Sequence, residues 1–325
     1  MTGQLVPWAI QCTMVSLVVV GLLLALPRAS VHLRRALTSI ALFSFLVPPL
    51  VRAPLTLAAH GLDVGQVGTS GILWWTLGLH WLGVAIVLWM GARSLSRHAR
   101  DLRDAVPIAP GPLGTALSEM CEQLGLTSTP RLLVSLHCVV PCVAVGIRSR
   151  IVLPQRYLEA LDLDQLCLIV GHELVHIRQG DLRWGGIRWL VCALWWFHPL
   201  AWIVARRHRD LGELCCDVTL LTELDARPVD YAECLVEAAQ LGLCGASSGL
   251  VPALFDHTEG SLQHRLRQIG RRPRDRWSTR RTWLAWATAL ALLPLATAWF
   301  APAAGPDGPE PGRPSFHPHE HSHLH

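Results

Sequence analysis

The chain has 325 residues, room for one or two domains with a sizeable core. It is 51% hydrophobic and only 16% charged, with a mean hydropathy of +0.35. Soluble domains carry about a quarter charged residues, so an ordinary soluble protein is excluded and a membrane protein is indicated. The net charge is a mild +4 and every basic residue is Arg. The 10 Cys show no paired zinc-ribbon spacing: Val-Val-Pro separates Cys138 from Cys142, and Cys215 and Cys216 are adjacent. Reduced thiols are expected rather than a disulfide framework.

Pro7 to Leu26 is apolar throughout and long enough to span a bilayer. No basic segment precedes it and it ends at Pro27-Arg28 rather than at small residues, so it reads as a retained anchor, not a signal peptide. A second span is predicted over 36–58, interrupted by Pro48-Pro49 and Arg52, and a third over 71–92, flanked by Trp. A fourth, again Trp-rich, covers 282–300. Arg28, Arg34 and Arg35 lie between the first two spans, and Arg93, Arg97, Arg100 and Arg103 follow the third. A further Arg cluster from Arg271 to Arg281 precedes the fourth. The opposite loops hold almost no Arg, so both termini are expected outside and the segment 100–275 in the cytoplasm.

Within that segment, Val143 to Ile147 and Ile151 to Pro154 read as short strands, a pair that could take an extended peptide by edge addition or simply form a core hairpin. Next comes a helix capped by Asp164 and ended by Gly180, carrying Gly171-His172-Glu173-Leu174-Val175-His176. His172 and His176 are i and i+4 on one face, the spacing with which an H-E-x-x-H helix binds zinc while its Glu serves as general base. Asp181, just past Gly180, either orients a ligand His or caps the following helix. The apolar stretch 189–205 could pass for another span, but a crossing would put the motif and everything after it on opposite sides. A hairpin turning at His198-Pro199, buried or dipping into the interface, avoids this.

After it, Glu213 and Asp217 share a face of a helix predicted from Pro199 to Leu224. Either they form an acidic pair on a solvated face or, with the upstream motif, Glu213 is expected as the third zinc ligand and Asp217 as the carboxylate for the free N–H of a ligand imidazole. Cys215 and Cys216 are read as structural thiols pointing away from that face. Tyr231 opens a helix over Asp230 to Leu241, either donating to the tetrahedral oxyanion or capping its own helix.

Taken in order, Ile151 to Pro154, Gly171 to His176 with Asp181, Trp196-Phe197-His198-Pro199-Leu200, Glu213 to Asp217 and Asp230-Tyr231-Ala232 resemble the membrane metallopeptidases typified by the β-lactam receptors BlaR and MecR. The resemblance implies a mainly α integral membrane protein: four transmembrane helices with an inserted cytoplasmic α+β gluzincin-type zinc protease domain, in a bacterial inner membrane. It implies one catalytic Zn2+ on His172, His176 and Glu213, with Glu173 as base. It also implies signalling by cleavage of the chain itself and of a winged-helix repressor. Arg271-Arg272 and Arg280-Arg281 lie where self-cleavage would fall. The expected partners are a protein substrate, the bilayer and a second copy of the chain, with no direct nucleic-acid contact.

One departure is plain. In place of a penicillin-binding domain the chain has a Pro/Gly-rich stretch and then His317, His319, His321, His323 and His325 in alternation. That tail either binds Zn, Cu or Ni outside or is disordered without a role. Two other readings of the whole remain: a heat-shock-type quality-control membrane protease, and a non-catalytic metal sensor.

Overall fold

The computed structural model describes residues 2–25, 29–59, 70–101, 103–144, 149–243 and 259–270. Three long helices come first: α1 (Thr2–Ala25), α2 (Val31–Ala59) and α3 (Ser70–Asp101). α2 is a single helix where the sequence suggested a break at Pro48-Pro49. A proline removes one backbone bond and can be absorbed within an apolar helix. Among the described residues, Leu77–Ser96 of α3 is long and apolar enough to cross a membrane, and Cys12–Ala25 of α1 is a shorter apolar helix. The face of α3 bearing Trp75, Leu79, Trp81, Leu82 and Trp89 is exposed. The predicted span 282–300, the four candidate cleavage arginines and the His-rich tail lie outside the described residues.

A small α/β unit follows, in the order β1 (Val106–Pro107), α4 (Pro112–Gln123), β2 (Arg131–Ser135), β3 (Cys142–Ala144) and β4 (Arg150–Pro154). The sheet order is β1-β2-β4-β3, with a parallel central pair (Arg131 beside Arg150, Ser135 beside Pro154) and antiparallel edges. Ile151, Val152 and Leu153 are fully buried, because β4 is covered on both faces, which is why it reads as an unbroken apolar run. β3 stands at an edge.

The remaining helices are α5 (Gln155–Ala160), α6 (Leu163–Gln179), α7 (Asp181–Leu194), α8 (Pro199–Glu223), α9 (Pro228–Leu243) and α10 (Glu259–Ile269). The cap of α6 is Asp162, not Asp164. The Asp162 side chain accepts from the Gln165 amide at 2.8 Å, and Gln165 Oε1 accepts from the Asp162 amide at 3.1 Å. This reciprocal box satisfies two of the orphan donors at the helix start. Asp164 falls in the first turn, where its charge still meets the positive end of the dipole. Gly180 ends the helix at φ 68°, a left-handed conformation natural to glycine.

Two apolar cores share α8. Its first half packs with α1, α2 and α7 through Phe45, Leu42, Val191, Trp195, Ala201 and Val204. Its second half brings Cys216 into the core that α4, β4 and α6 form around Leu117, Ile151, Val170 and Leu174. At 1.5 Å per residue α8 is about 37 Å long, enough to reach from the bundle of α1 and α2 into the α/β unit. The chain turns back between α7 and α8 at Trp195–His198, with Pro199 at the helix start. The turn is pinned from three sides: Trp195 Nε1 donates to Phe45 O (2.8 Å), Trp196 Nε1 donates to His80 O (3.2 Å), and His198 Nε2 pairs with Thr13 Oγ1 (2.9 Å). α3 meets α7 at Gly91, where any Cβ would overlap the ring of Trp189, and meets the turn after α7 at Gly83, where it would overlap Trp196.

Candidate metal centre

Two helices build the site. α6 presents His172 and His176 one turn apart, and α8 brings Glu213 against them. Gly171 allows the approach: a Cβ there would meet Leu220 Cδ1 of α8 at 2.9 Å. His172 Nε2 and His176 Nε2 face each other at 3.0 Å. Glu213 Oε2 is 3.5 Å from the first nitrogen and Oε1 is 3.8 Å from the second. Donor atoms of His172, His176 and Glu213 lie within 4.8 Å of one another.

Hydrogen bonds behind the imidazoles decide what these atoms are. His176 Nδ1 lies 2.6 Å from Asp181 Oδ2, so Nδ1 carries the proton. Tyr231 Oη donates its single proton to Asp217 Oδ1 at 2.6 Å. It must therefore accept at 2.9 Å from His172 Nδ1, which is protonated too. With each Nδ1 committed to an acceptor, Nε2 is the nitrogen each ring can offer to a cation, and both Nε2 atoms converge beside a carboxylate. Such a donor set fits a cation. Tetrahedral zinc at 2.0–2.1 Å from each ligand needs ligand atoms about 3.3 Å apart, and the three separations scatter around that value.

Electrostatics agree. Burial disfavours the charged form of Glu213, but His172, His176 and Arg265 outweigh it and hold the carboxyl well below its ordinary range. Burial likewise opposes a charge on His176, yet Cys216 and the Asp181 hydrogen bond lift the imidazole well above its usual value. A lowered carboxyl beside a raised imidazole marks opposite charges that stabilise one another across the cluster. Glu173 is half-buried beside His172 and takes part in none of the ion pairs that engage Glu213, Asp181 and Asp217.

Two expectations change, and one open alternative is decided. Tyr231 is 1% exposed and its hydroxyl sits behind His172, on the Nδ1 side, rather than beside the converging Nε2 atoms. An oxyanion donor must face the reacting carbonyl, so the structure gives Tyr231 an orienting place instead of a catalytic one. Cys216 does not point away: its Sγ is 3.3 Å from His176 Nδ1 and 3.5 Å from Asp181 Oδ2. Three residues along a helix is a rotation of about 300°, so Cys216 flanks the Glu213 face while Cys215 lies opposite. Asp181 makes no cap bond to its own helix and holds His176. Asp217 stands 3.4 Å from His172 Nδ1 and reaches it chiefly through Tyr231.

Arg265, on α10, was not singled out by the sequence. It donates to both oxygens of Asp217 (2.8 and 2.7 Å) and to Tyr231 Oη (3.1 Å), and its Nη1 lies 3.4 Å from Glu213 Oε2. Only its place in an arginine-rich segment marks it in the sequence.

An H-E-x-x-H helix whose imidazoles meet a carboxylate from a second helix, in a helical chain with an apolar span, is the pattern of a membrane-associated metallopeptidase. Residues 9–269 match the family described as BlaR1 peptidase M56, and the chain belongs to that family. The regulatory protein BlaR1 of Bacillus licheniformis is similar at 28% identity over 95 residues. That match covers 28% of this chain and 15% of the relative.

Proposed function

We propose that the protein is a zinc endopeptidase of the bacterial inner membrane that transmits a signal by cutting a protein substrate, itself or a cytoplasmic winged-helix repressor. Four spans would carry it, with both termini outside and a gluzincin-type domain over 100–275 in the cytoplasm. The observation that carries the reading is the convergence of two Nε2 atoms and the Glu213 carboxylate, each imidazole committed on its other side to an acceptor. The family and the name of the similar regulatory protein support peptidase signalling. Support for a re-entrant hairpin over 189–205 comes from its turn, which bonds Phe45 of α2. That is about 15 Å up the helix from Arg35, at the cytoplasmic end. Glu213 and Asp181 then return to one level at the hairpin's open end.

His172, His176 and Glu213 would hold the zinc, which supplies Lewis acidity and lowers the pKa of a water to about 7. Glu173 takes the proton from the attacking water and returns it to the leaving amine. Asp181 and the Tyr231–Asp217 pair keep both imidazoles in the tautomer that leaves Nε2 free. An extended substrate can lie along β3, the sheet edge beside α6.

The test is full-length protein with Glu173→Gln, assayed on the repressor candidate and for its own cleavage. Zinc should be retained and cleavage fall by about 10²–10⁴-fold, the usual size of a lost general base. A chelator should silence the wild type and added zinc restore it. Full cleavage by Glu173→Gln would overturn the assignment.

A further inference from the structure

Arg35 opens α2 just before the apolar run that would enter the bilayer. An arginine that merely marked the cytoplasmic edge would reach for headgroups and water. This one turns inward, and its side chain is 11% exposed. One arm of the guanidinium donates to Gln179 Oε1 and the other to Asp181 Oδ1. These acceptors flank Gly180, the residue that ends the H-E-x-x-H helix. The second oxygen of Asp181 accepts from His176 Nδ1 at 2.6 Å. A line of bonds thus runs from the foot of α2 through one carboxylate to an imidazole of the metal cluster.

The same turn of α2 also touches the helix that delivers Glu213. Gly212 lies against the guanidinium, an added Cβ falling 3.7 Å from Arg35 Cζ. Ser39, one turn on, bonds its hydroxyl to the Arg35 carbonyl (3.0 Å) and to Nε2 of the fully buried His208 of α8 (3.0 Å). A planar fork with two fixed acceptors sets the orientation of both, which a point charge would not do. Burying such a cation is unfavourable unless it is fully paired, so its contacts are specific ones.

We propose that Arg35 is a positioning residue for the metal centre, acting through Asp181 on His176, and that it makes the cytoplasmic end of α2 part of the apparatus that sets catalytic competence. This rests on the zinc-peptidase reading and adds the route by which a membrane helix bears on the zinc. Movement of α2 along its axis would shift the guanidinium, tilt the Asp181 carboxylate and turn the imidazole.

The test uses the full-length protein in nanodiscs, comparing wild type, Arg35→Gln, Arg35→Lys and Arg178→Gln. The last removes an ion pair between α6 and α8, to Glu223, that does not touch the imidazoles. Zinc affinity is read by competition with a chromogenic chelator, the ligand field from the visible spectrum of the cobalt-substituted protein, and kcat and KM on a peptide. Arg35→Gln should weaken zinc about tenfold, the lower end for groups behind a metal ligand. It should also move the cobalt bands and lower kcat at unchanged KM. Arg35→Lys should recover part of the loss, and Arg178→Gln should match wild type throughout. Folded Arg35→Gln with wild-type affinity and spectrum would overturn the proposal. Should that variant not fold, Gln179→Leu takes its place, since it frees one arm of the fork and leaves Asp181 intact. A smaller shift of the same kind is expected from it, and no shift refutes. Wild type that binds no zinc would instead remove the function on which the proposal rests.

Discussion

Tyr231→Phe separates two roles for one hydroxyl. The ring is 1% exposed and stays in place in the variant; only Oη is lost. Gone with it are the donor to Asp217 at 2.6 Å, the acceptor for His172 Nδ1 at 2.9 Å and a contact from Arg265 at 3.1 Å. Asp217 keeps its two bonds from Arg265, so no carboxylate is stranded. The group left in difficulty is His172 Nδ1–H, with Asp217 Oδ1 already 3.4 Å away and able to close part of the gap. One unsatisfied buried donor, partly repaired, costs about 1–3 kcal/mol of stability. A lost partner behind a metal ligand weakens the metal by about 10–100-fold. Metal affinity should therefore fall, while kcat measured at saturating zinc stays within a few-fold of wild type. Had the hydroxyl been the oxyanion donor, kcat would drop by about 10²–10³ however much zinc was supplied. Steady-state cleavage of a peptide across a zinc titration distinguishes the outcomes. A loss of that size persisting at saturation would refute the orienting role.

Other perturbations test the frame around the site. Asp181 is depressed from 3.8 to about 2: burial pushes its pKa up, but the His176 hydrogen bond and the Arg35 charge outweigh it. A folded pKa below the unfolded one contributes stability that is complete above about pH 4 and lost as the pH falls through about 2. The difference is worth about 2 kcal/mol for this mostly buried group, so in metal-free protein Asp181→Asn should flatten the acid limb of a urea-denaturation series. An unchanged acid limb would contradict the pairing. Gly83→Val should push Trp196 out of its notch on α3, costing about 1–3 kcal/mol as overpacking does. It should also lower cross-linking between cysteines placed on α3 and in the 195–198 turn, whereas undiminished cross-linking would show that α3 and this turn do not pack through glycine.

Residues near one another in sequence announced themselves. Helical spacing was enough to put His172, Glu173 and His176 on one turn. The i, i+4 relation of Glu213 and Asp217 marked them as a pair, and Gly180 and His198-Pro199 marked where helices end. These follow from backbone geometry and local sterics, which a short window of sequence contains. The apolar runs likewise marked segments that could cross a bilayer, among them the one that α3 forms, because the cost of exposing them depends on composition alone.

What the window could not contain was direction in three dimensions. Tyr231 is 59 positions from His172, and nothing local says which face of the imidazole its hydroxyl meets. Arg35 is 146 positions from Asp181, and Arg265 is 48 from Asp217. As letters, both read as members of a basic cluster beside a span. Tertiary packing alone made them partners of the carboxylates behind the imidazoles. A buried charge needs a counter-charge at bonding distance, and the fold decides which one is there. Cys216 shows the same limit on a small scale, since a rotation of 60° past Glu213 means nothing until α6 lies against that flank.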